Sequence, residues 1–544
     1  MPCKRFMIPG AIMALCLISF HSYSQKTLPA ADKINSADLE THISFLASPL
    51  MNGRSNGEKE LDIALSYITS QAKLMGLKPA NGKSYLQPYS IMKKSIDSER
   101  SGIRILASKN DSVQFHESMY QLFPTGASDF DIEGEVIFAG YGIKADSYDY
   151  NDLEGINPEG KILLVMNRSP LTDDGSEYKF QGSMWSTMMG IQPKMTFLMF
   201  SKAKAVIIVP DPKSGCSSLE QQYPGIAGEL GSLKYLKGSK PMIIDMPAMP
   251  RILFVHRNVA EGLLKGTGQT LDKLQREIDS ELKPKSFPIP GKRLRITQAS
   301  RTDEILMNNA AAWIEGSDPE LKKEIVIFSG HADHVGVTGG TVYPGADDNA
   351  SGCAAMLEIA QAFQNLDKKP LRSILFLWVT GEEIGLFGSQ SYVENPLFPL
   401  ENTIADLNMD MIGRVRGVAD TTESTPMTDR TGLFVITGNQ SKELVDIARE
   451  VDSKTHLDLD YSLSGRNHPL QLFARSDHYN FVKKDIPVLF FSTGLHTDYH
   501  EPGDTPEKID YEKMELVTRT IYEIGYNVAN RKKRIVVDNP FSKW

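Results

Sequence analysis

One stretch of the chain, Ile325 to Glu358, constrains the fold more than any other. Four apolar residues, 325–328, lead into Gly330-His331-Ala332-Asp333, and a glycine-rich loop follows. Residues 345–352, Gly-Ala-Asp-Asp-Asn-Ala-Ser-Gly, then begin a helical pattern. This order predicts strand, loop and helix, with His331 and Asp333 at the carboxyl end of the strand. Ligands bind at that edge of open α/β sheets, so we expect the remaining chain to complete this site or to cover it.

The second half of the chain alternates apolar strands with helical patterns. Further strands are predicted at Ile374–Val379, Ile404–Met409, Leu433–Ile436 and Val488–Phe491, and helices at 350–363 and 442–451. Strands that are apolar along nearly their whole length are typical of a parallel sheet buried on both faces. The predicted fold class is therefore α/β: a mixed sheet with a mostly parallel centre, covered by helices.

The first half divides at two changes of character. Residues 35–79 show helical spacing and 85–130 read as alternating strands, whereas the chain from about 133 onward is a β-rich unit without an ionisable cluster. The lysine- and proline-rich stretch 283–290 is typical of a boundary. We therefore predict a catalytic domain in two parts, residues 25–130 and 290–544, interrupted by an inserted domain, residues 131–289.

The N-terminus has the features of a signal peptide. Lys4 and Arg5 precede 15 mostly apolar residues, 6–20, and a cleavage site is predicted after Ser24. Residues 1–24 are thus predicted to direct export to a periplasm or out of the cell, without stable membrane insertion. A retained anchor and a lipoprotein modified at Cys16 are the alternatives. The net charge of −9 excludes the basic footprint of a nucleic-acid-binding protein.

Acids and histidines follow the predicted strands of the second half. They are His331 and Asp333, Asp347 and Asp348, Glu382 and Glu383, Asp410, and His496, His500 and Asp504. Imidazole and carboxylate donors without a thiolate suit zinc, or less specifically cobalt or manganese. Two histidines and three acids, one of them bridging, would hold two ions about 3.5–4 Å apart. In an adjacent pair of glutamates, one can bind metal while the other accepts a proton from water.

The motifs at these positions resemble those of one known family. They are His-x-Asp at 331–333, the octapeptide at 345–352, Gly-Glu-Glu-x-Gly at 381–385, Asn-Met-Asp-Met at 408–411 and His-x-x-x-Asp-Thr at 500–505. They look like the co-catalytic zinc aminopeptidases of the bacterial leucyl aminopeptidase and aminopeptidase Y type. The resemblance covers residues 35–130 and 300–530, and 131–285 resembles the protease-associated domain that many such enzymes carry. Ala332 departs from several members, which have Tyr or Leu there.

The resemblance implies a zinc exopeptidase fold, a peptide substrate and two zinc ions per chain. By position, His331 and Asp410 would bind one ion, Glu383 and His500 the other, and Asp348 both. Glu382 would be the general base and then the acid for the leaving amine. Asp333 would accept a hydrogen bond from His331 and fix its tautomer.

Several alternatives stay open at the level of sequence. A dipeptidase or carboxypeptidase, a single-zinc glutaminyl cyclase, or a binding ectodomain without activity could share this scaffold. His334 and His496 are interpreted as polar loop residues, and Asp477 and His478 as either pocket or structural residues. Cys353 is expected to be a small core residue. The preferred N-terminal residue and the oligomeric state are not predicted.

Overall fold

The computed structural model describes residues 28–108, 111–115, 120–122, 129–180, 191–222, 232–239, 249–418, 420, 426–455, 457–465 and 468–543. The predicted signal peptide, residues 1–24, lies outside these ranges. Within them, no helix is both long and apolar enough to cross a membrane.

The strands are β1 (Lys78–Pro79), β2 (Leu86–Ile96), β3 (Gly102–Ser108), β4 (Asp111–Phe115), β5 (Tyr120–Leu122), β6 (Phe130–Phe138), β7 (Lys144–Ala145), β8 (Tyr150–Asn151), β9 (Ile162–Met166), β10 (Ala205–Val209), β11 (Ser232–Leu236), β12 (Arg251–Val255), β13 (Phe287–Gln298), β14 (Ser300–Ile314), β15 (Ile325–His331), β16 (Gly336–Thr338), β17 (Thr341–Tyr343), β18 (Ser373–Val379), β19 (Thr403–Met409), β20 (Gly432–Ile436), β21 (Asp458–Asp460) and β22 (Val488–Ser492).

The α-helices are α1 (Ser36–Leu46), α2 (Lys59–Leu74), α3 (Ile191–Met199), α4 (Leu219–Gln222), α5 (Arg257–Leu264), α6 (Leu271–Glu281), α7 (Gly352–Gln364), α8 (Phe387–Glu394), α9 (Lys442–Asp452), α10 (His478–Val482) and α11 (Tyr511–Asn530).

The larger sheet has ten strands in the described ranges. Their order is β11-β2-β14-β18-β15-β19-β22-β20-β21, and β1 pairs with β14. The central neighbours β18, β15, β19 and β22 are parallel, whereas β14 and β2 run antiparallel on one side and β20 pairs antiparallel with β22 on the other. The prediction of a mixed sheet with a parallel centre is confirmed.

Alternate residues of the central strands enter two different cores. In β15, Val326 and Phe328 belong to the core under α1, α2, α7, α9 and α11. Ile325 and Ile327 belong to the core on the opposite face, together with Tyr392 of α8 and residues of α10. A strand covered on both faces must be apolar at every position, which explains the continuous apolar runs in the sequence.

A second sheet contains eight strands of the described chain. Its order is β4-β3-β13-β6-β9-β10-β12-β5, with a parallel centre of β6, β9, β10 and β12. The chain does not pass from one sheet to the other at the predicted domain boundaries, residues 131 and 289. Strands β3 to β5 precede 131 but join the second sheet, and β11 pairs with β2 of the larger one. The second half of the proline-rich stretch 283–290 is part of a strand rather than a linker, because β13 begins at Phe287 and has a register shift between Pro288 and Arg293.

Candidate metal centre

The predicted donors lie at one edge of the larger sheet. β15 ends in His331, β18 is followed by Glu382 and Glu383, and β19 by Asp410, while the loop after β22 carries His500. These four strands are neighbours and mutually parallel. Their carboxyl ends therefore meet, as the sequence predicts for a ligand site of an α/β sheet.

One set of donors surrounds His331. Its Nε2 lies 3.3 Å from Oδ1 of Asp348 and 3.4 Å from Oδ1 of Asp410. All three residues are buried. Donors at about 2.0–2.1 Å from one tetrahedral zinc ion lie about 3.3–3.4 Å from each other, so this set has the spacing of a zinc site.

A second set surrounds His500, whose side chain is 39% exposed. Its Nε2 lies 3.2 Å from Oδ2 of Asp348 and 2.9 Å from Oε2 of Glu383. The two oxygens of Asp348 thus face different histidines, as expected for a bridging carboxylate. Both sets combine imidazole and carboxylate donors, which suit zinc.

The loop that carries Asp348 is held by backbone hydrogen bonds. Both carboxylate oxygens of Asp504 accept from the backbone N–H groups of Asp347 and Asp348, at 3.0–3.1 Å. Oδ1 of Asp347 accepts from the N–H of Gly413 at 2.6 Å. Gly345 begins this loop with φ +61°, and a Cβ there would lie 2.2 Å from the carbonyl oxygen of Asp348. Only glycine fits this conformation without strain.

Asp333 has a different role from the predicted one. His331 Nδ1 lies 3.1 Å from the main-chain oxygen of Asp333 but 3.8 Å from its carboxylate, too far for a hydrogen bond. The main-chain carbonyl therefore orients His331. The carboxylate instead accepts from the N–H groups of Glu382 and Glu383, at 3.3 and 3.2 Å, and from the amide of Asn56, at 2.6 Å. Asp333 thus holds the turn that carries the two glutamates.

His334 and His496, interpreted as polar loop residues rather than ligands, do lie in loops, but both are buried beside acids of the site. Nδ1 of His334 lies 2.7 Å from Oε1 of Glu383, and its side chain is completely buried. Nε2 of His496 lies 3.4 Å from Oδ2 of Asp347. The one available signal was position, since His334 follows His331 by three residues in the same loop.

Arg54 and Asn56 are site residues that the sequence did not reveal. The buried guanidinium of Arg54 donates to the carbonyl oxygens of Ala332 and Gly345, which precede Asp333 and the Asp348 loop. Asn56 donates to Asp333 and accepts from the N–H of Gly381. The loop between α1 and α2 thereby connects three segments that carry donors.

Ionisation of the two glutamates differs although they are adjacent. For Glu382, burial raises the pKa well above its usual range, and Glu383 and Asp410 act in the same direction against His331. For Glu383, burial and Asp348 also raise the pKa, but hydrogen bonds from His334 and His500 outweigh them and lower it to about 2. Without metal ions, the surroundings thus favour the ionised form of Glu383 and the protonated form of Glu382. Bound cations would lower the pKa of Glu382 and favour its ionised form, which can accept a proton.

The comparison with known families identifies the part of the chain that carries these donors. Residues 309–525 match the model of peptidase family M28. The chain carries a peptidase family M28 domain. This domain includes both donor sets, whereas Arg54 and Asn56 precede it.

Several curated relatives of the M28 domain are aminopeptidases by name. The chain is 29% identical over 222 residues to a probable leucine aminopeptidase of Arthroderma otae, which is 38% of this chain and 56% of that protein. It is 30% identical over 212 residues to aminopeptidase YwaD of Bacillus subtilis, 37% of this chain and 41% of that protein. The chain thus spans about half the length of the curated relatives it matches.

Solved structures match the chain over nearly its full length. BSAP, a zinc aminopeptidase from Bacillus subtilis, aligns with a TM-score of 0.52 and 19% identity, over 93% of this chain and 98% of that one. An aminopeptidase from Aneurinibacillus sp. strain AM-1 aligns with a TM-score of 0.51 and 19% identity, over 94% and 97%. At this identity the comparison establishes a shared fold, that of the zinc aminopeptidases.

An apolar pocket adjoins the donors of the M28 domain. Asp348, Glu382 and Asp410 line one side of it. The other walls are mainly apolar and include Met411, Ile436, Leu463, Leu472, Phe490 and Leu495. Such a pocket can receive an apolar side chain of a ligand whose polar end reaches the donors.

Proposed function

We propose that this protein is an exported zinc aminopeptidase that hydrolyses the N-terminal residue of peptides. The observation that carries the proposal is the position of the Asp348 carboxylate between two histidines. Its Oδ1 lies 3.3 Å from Nε2 of His331, and its Oδ2 lies 3.2 Å from Nε2 of His500. Each histidine has a further carboxylate beside it, Asp410 or Glu383. This arrangement supports two ions, and the aminopeptidase names of the M28 relatives support the reaction.

In this proposal the donors divide as the sequence resemblance implies. His331 and Asp410 would hold one zinc ion, Glu383 and His500 the other, and Asp348 both. When bound, the ions would act as Lewis acids that make water nucleophilic at neutral pH and polarise the scissile carbonyl. The carboxylates would be ionised in this state, since metal ligands are deprotonated.

Glu382 is proposed as the general base and acid. It offers an oxygen within 4.8 Å of donor atoms of His331 and Glu383, and it also lines the apolar pocket. Glu382 would accept a proton from the attacking water and transfer it to the nitrogen of the leaving peptide. The hydrogen bond from the backbone N–H of Glu382 to Asp333 holds the turn that carries this side chain.

The apolar pocket supports a preference for a large apolar N-terminal residue. Its walls include Ile436 and Leu472, which are 0% and 7% exposed. Arg475, Ser492 and Tyr499 also line the pocket, but most of its wall would leave a buried polar side chain unpaired, and an unpaired buried polar group is costly. We therefore propose that leucine-like residues are cleaved faster than small or charged ones.

Export and domain organisation complete the proposal. The predicted signal peptide, residues 1–24, would be removed after Ser24, so the mature protein isolated from its source should begin at Gln25. We propose that the second sheet, which includes most strands between residues 131 and 289, forms an inserted protease-associated domain that restricts the cleft to short, unfolded peptides.

Substitution of each glutamate by glutamine tests the assigned roles. Glu382→Gln should retain bound zinc and lose on the order of 10²-fold or more in kcat, whereas Glu383→Gln should weaken zinc binding. Glu358→Gln is the matched control, because this buried glutamate lies on α7 and accepts from the N–H of Asn35 rather than facing the donors. Metal content by mass spectrometry and steady-state kinetics are the measurements. Near-normal turnover of Glu382→Gln would contradict the assigned base.

A further inference from the structure

His334 lies next to the second donor set rather than the first. Its Nδ1 is 2.7 Å from Oε1 of Glu383 and 3.6 Å from Oδ2 of Asp348. Its ring packs against that of His500 at 70°, with centroids 5.7 Å apart. Its backbone N–H donates to the carbonyl oxygen of Arg54 at 3.2 Å, which fixes the loop. The imidazole therefore contacts all three residues proposed to hold the second ion.

His334 and His500 differ in their distance from Asp348 and in the oxygen of Glu383 that each contacts. Donors on one tetrahedral zinc ion lie about 3.3–3.4 Å apart, and His331 has this spacing from Asp348 and Asp410. Both His334 and His500 lie at hydrogen-bond lengths from Glu383, 2.7 and 2.9 Å, but His334 lies 3.6 Å from Oδ2 of Asp348 and His500 only 3.2 Å. His334 also faces Oε1, whereas His500 faces Oε2. The two histidines thus contact different oxygens of one carboxylate.

The direction of this hydrogen bond follows from the chemistry of a ligand. A carboxylate that binds metal is deprotonated and can only accept hydrogen bonds. Nδ1 of His334 must therefore carry the hydrogen and donate it to Oε1. This leaves Oε2 as the oxygen directed at His500.

We propose that His334 is a positioning residue for the second metal ion, acting through Glu383. By donating to Oε1 it fixes the carboxylate in the orientation that presents Oε2 to the ion. This inference rests on the proposed two-metal site. Hydrogen-bonded partners of metal ligands typically contribute 10–100-fold to metal affinity.

The surrounding backbone is built around this imidazole. A Cβ at Gly345 would lie 2.5 Å from two ring carbons of His334. The loop that carries Asp348 thus passes directly over the ring. In the described residues Nε2 of His334 has no hydrogen-bond partner, so Nδ1 alone fixes the ring by hydrogen bonding. A loss of His334 should therefore affect the second ion and leave the first unchanged.

Stepwise zinc binding by variants of the full chain tests this selectivity. His334→Ala should weaken one of the two zinc sites by 10–100-fold and leave the other unchanged, as measured by competition with a chelator. His334→Asn should recover part of the loss, because its amide nitrogen can donate from near the position of Nδ1. His478→Ala is the matched control, since His478 is equally buried but contacts the carbonyl oxygen of Phe473. It should bind both ions as the wild type does.

Cobalt substitution separates a positioning role from direct ligation. In the proton spectrum of the cobalt-loaded wild type, we expect exchangeable paramagnetically shifted imidazole signals from two histidines, His331 and His500. A third such signal, lost in His334→Asn, would identify His334 as a ligand and overturn the proposal. Equal loss of both ions in His334→Ala, or loss of neither, would also overturn it. A wild type that binds fewer than two ions would instead refute the two-metal function itself.

Discussion

Replacement of Arg54 by lysine keeps the positive charge of a buried side chain but removes its planar set of donors. In the structure Nε donates to Ala332 O at 2.9 Å, Nη1 to Leu46 O at 2.7 Å and Pro344 O at 2.8 Å, and Nη2 to Gly345 O at 2.9 Å. A lysine ammonium is a single point with a shorter reach. It cannot meet four carbonyl groups that surround three separate nitrogen atoms.

The expected destabilisation follows from the carbonyl groups left without a partner. If lysine satisfies two of the four, the other two remain unpaired in the interior, at about 1–3 kcal/mol each. We therefore expect Arg54→Lys to lower the free energy of unfolding by about 2–6 kcal/mol. Zinc affinity should fall as well, because Ala332 lies between His331 and Asp333 and Gly345 begins the Asp348 loop.

Urea unfolding of the metal-free protein, followed by tryptophan fluorescence, measures the first effect, and chelator competition measures the second. Arg104→Lys is the control, because the exposed guanidinium of Arg104 donates to the side chain of Gln114 rather than to buried carbonyl groups. Its effect should stay within about 0.5 kcal/mol. A loss of less than about 1 kcal/mol in Arg54→Lys, with unchanged zinc affinity, would refute the idea that Arg54 holds the metal-binding loops.

Two further predictions concern pH and substrate. Burial raises the pKa of Asp406 to about 8, with Asp477 adding to it and Ser329 opposing it. Because this folded-state pKa exceeds the unfolded value of about 3.9, the native state binds the extra proton, and stability should fall by up to about 1.4 kcal/mol per pH unit between about pH 5 and 8. Asp406→Asn should flatten the pH dependence measured by urea unfolding, and parallel curves would contradict the assignment. For the apolar pocket, leucine buries three more carbon atoms than alanine, or about 2.4 kcal/mol; kcat/KM should thus favour leucyl over alanyl p-nitroanilide by about 50-fold, and equal values would exclude the pocket as the binding site of the N-terminal residue.

The parallel centre of the larger sheet could be predicted because its strands are buried on both faces. That burial requires apolar residues throughout, and the pattern is visible in β15 and β18 without any knowledge of their partners. The donors could be located for a related reason. Each follows directly after such a strand, and the carboxyl ends of parallel neighbours meet at one edge.

The boundaries of the second sheet could not be predicted from local patterns. β3 alternates like any half-exposed strand, and its pairing with β13 joins residues nearly 200 positions apart, while β4 pairs only with β3 among the described strands. β11 likewise contains nothing that distinguishes an edge strand of one sheet from that of the other. Register across such distances depends on tertiary packing rather than on propensity.

The residues that support the metal centre could not be predicted from the sequence for a different reason. Arg54 and Asn56 contact residues 332–381 from a loop more than 270 positions earlier, and an arginine or asparagine in a glycine-rich loop is usually solvated. The carboxylate of Asp333 was assigned to His331 by position in a motif. The backbone shows that a carbonyl group serves His331 and that the carboxylate serves the turn with Glu382 and Glu383.

Hydrolysis of one matched peptide pair by the zinc-loaded protein tests the proposed function most directly. The two peptides share a sequence that begins with leucine, and one has a free amino terminus while the other is acetylated. An aminopeptidase must release leucine from the free peptide and leave the acetylated one intact. Cleavage of both peptides, or release of the C-terminal residue, would contradict the proposal and indicate a carboxypeptidase or endopeptidase. Cleavage of neither by protein with bound zinc would contradict any peptidase function for these substrates.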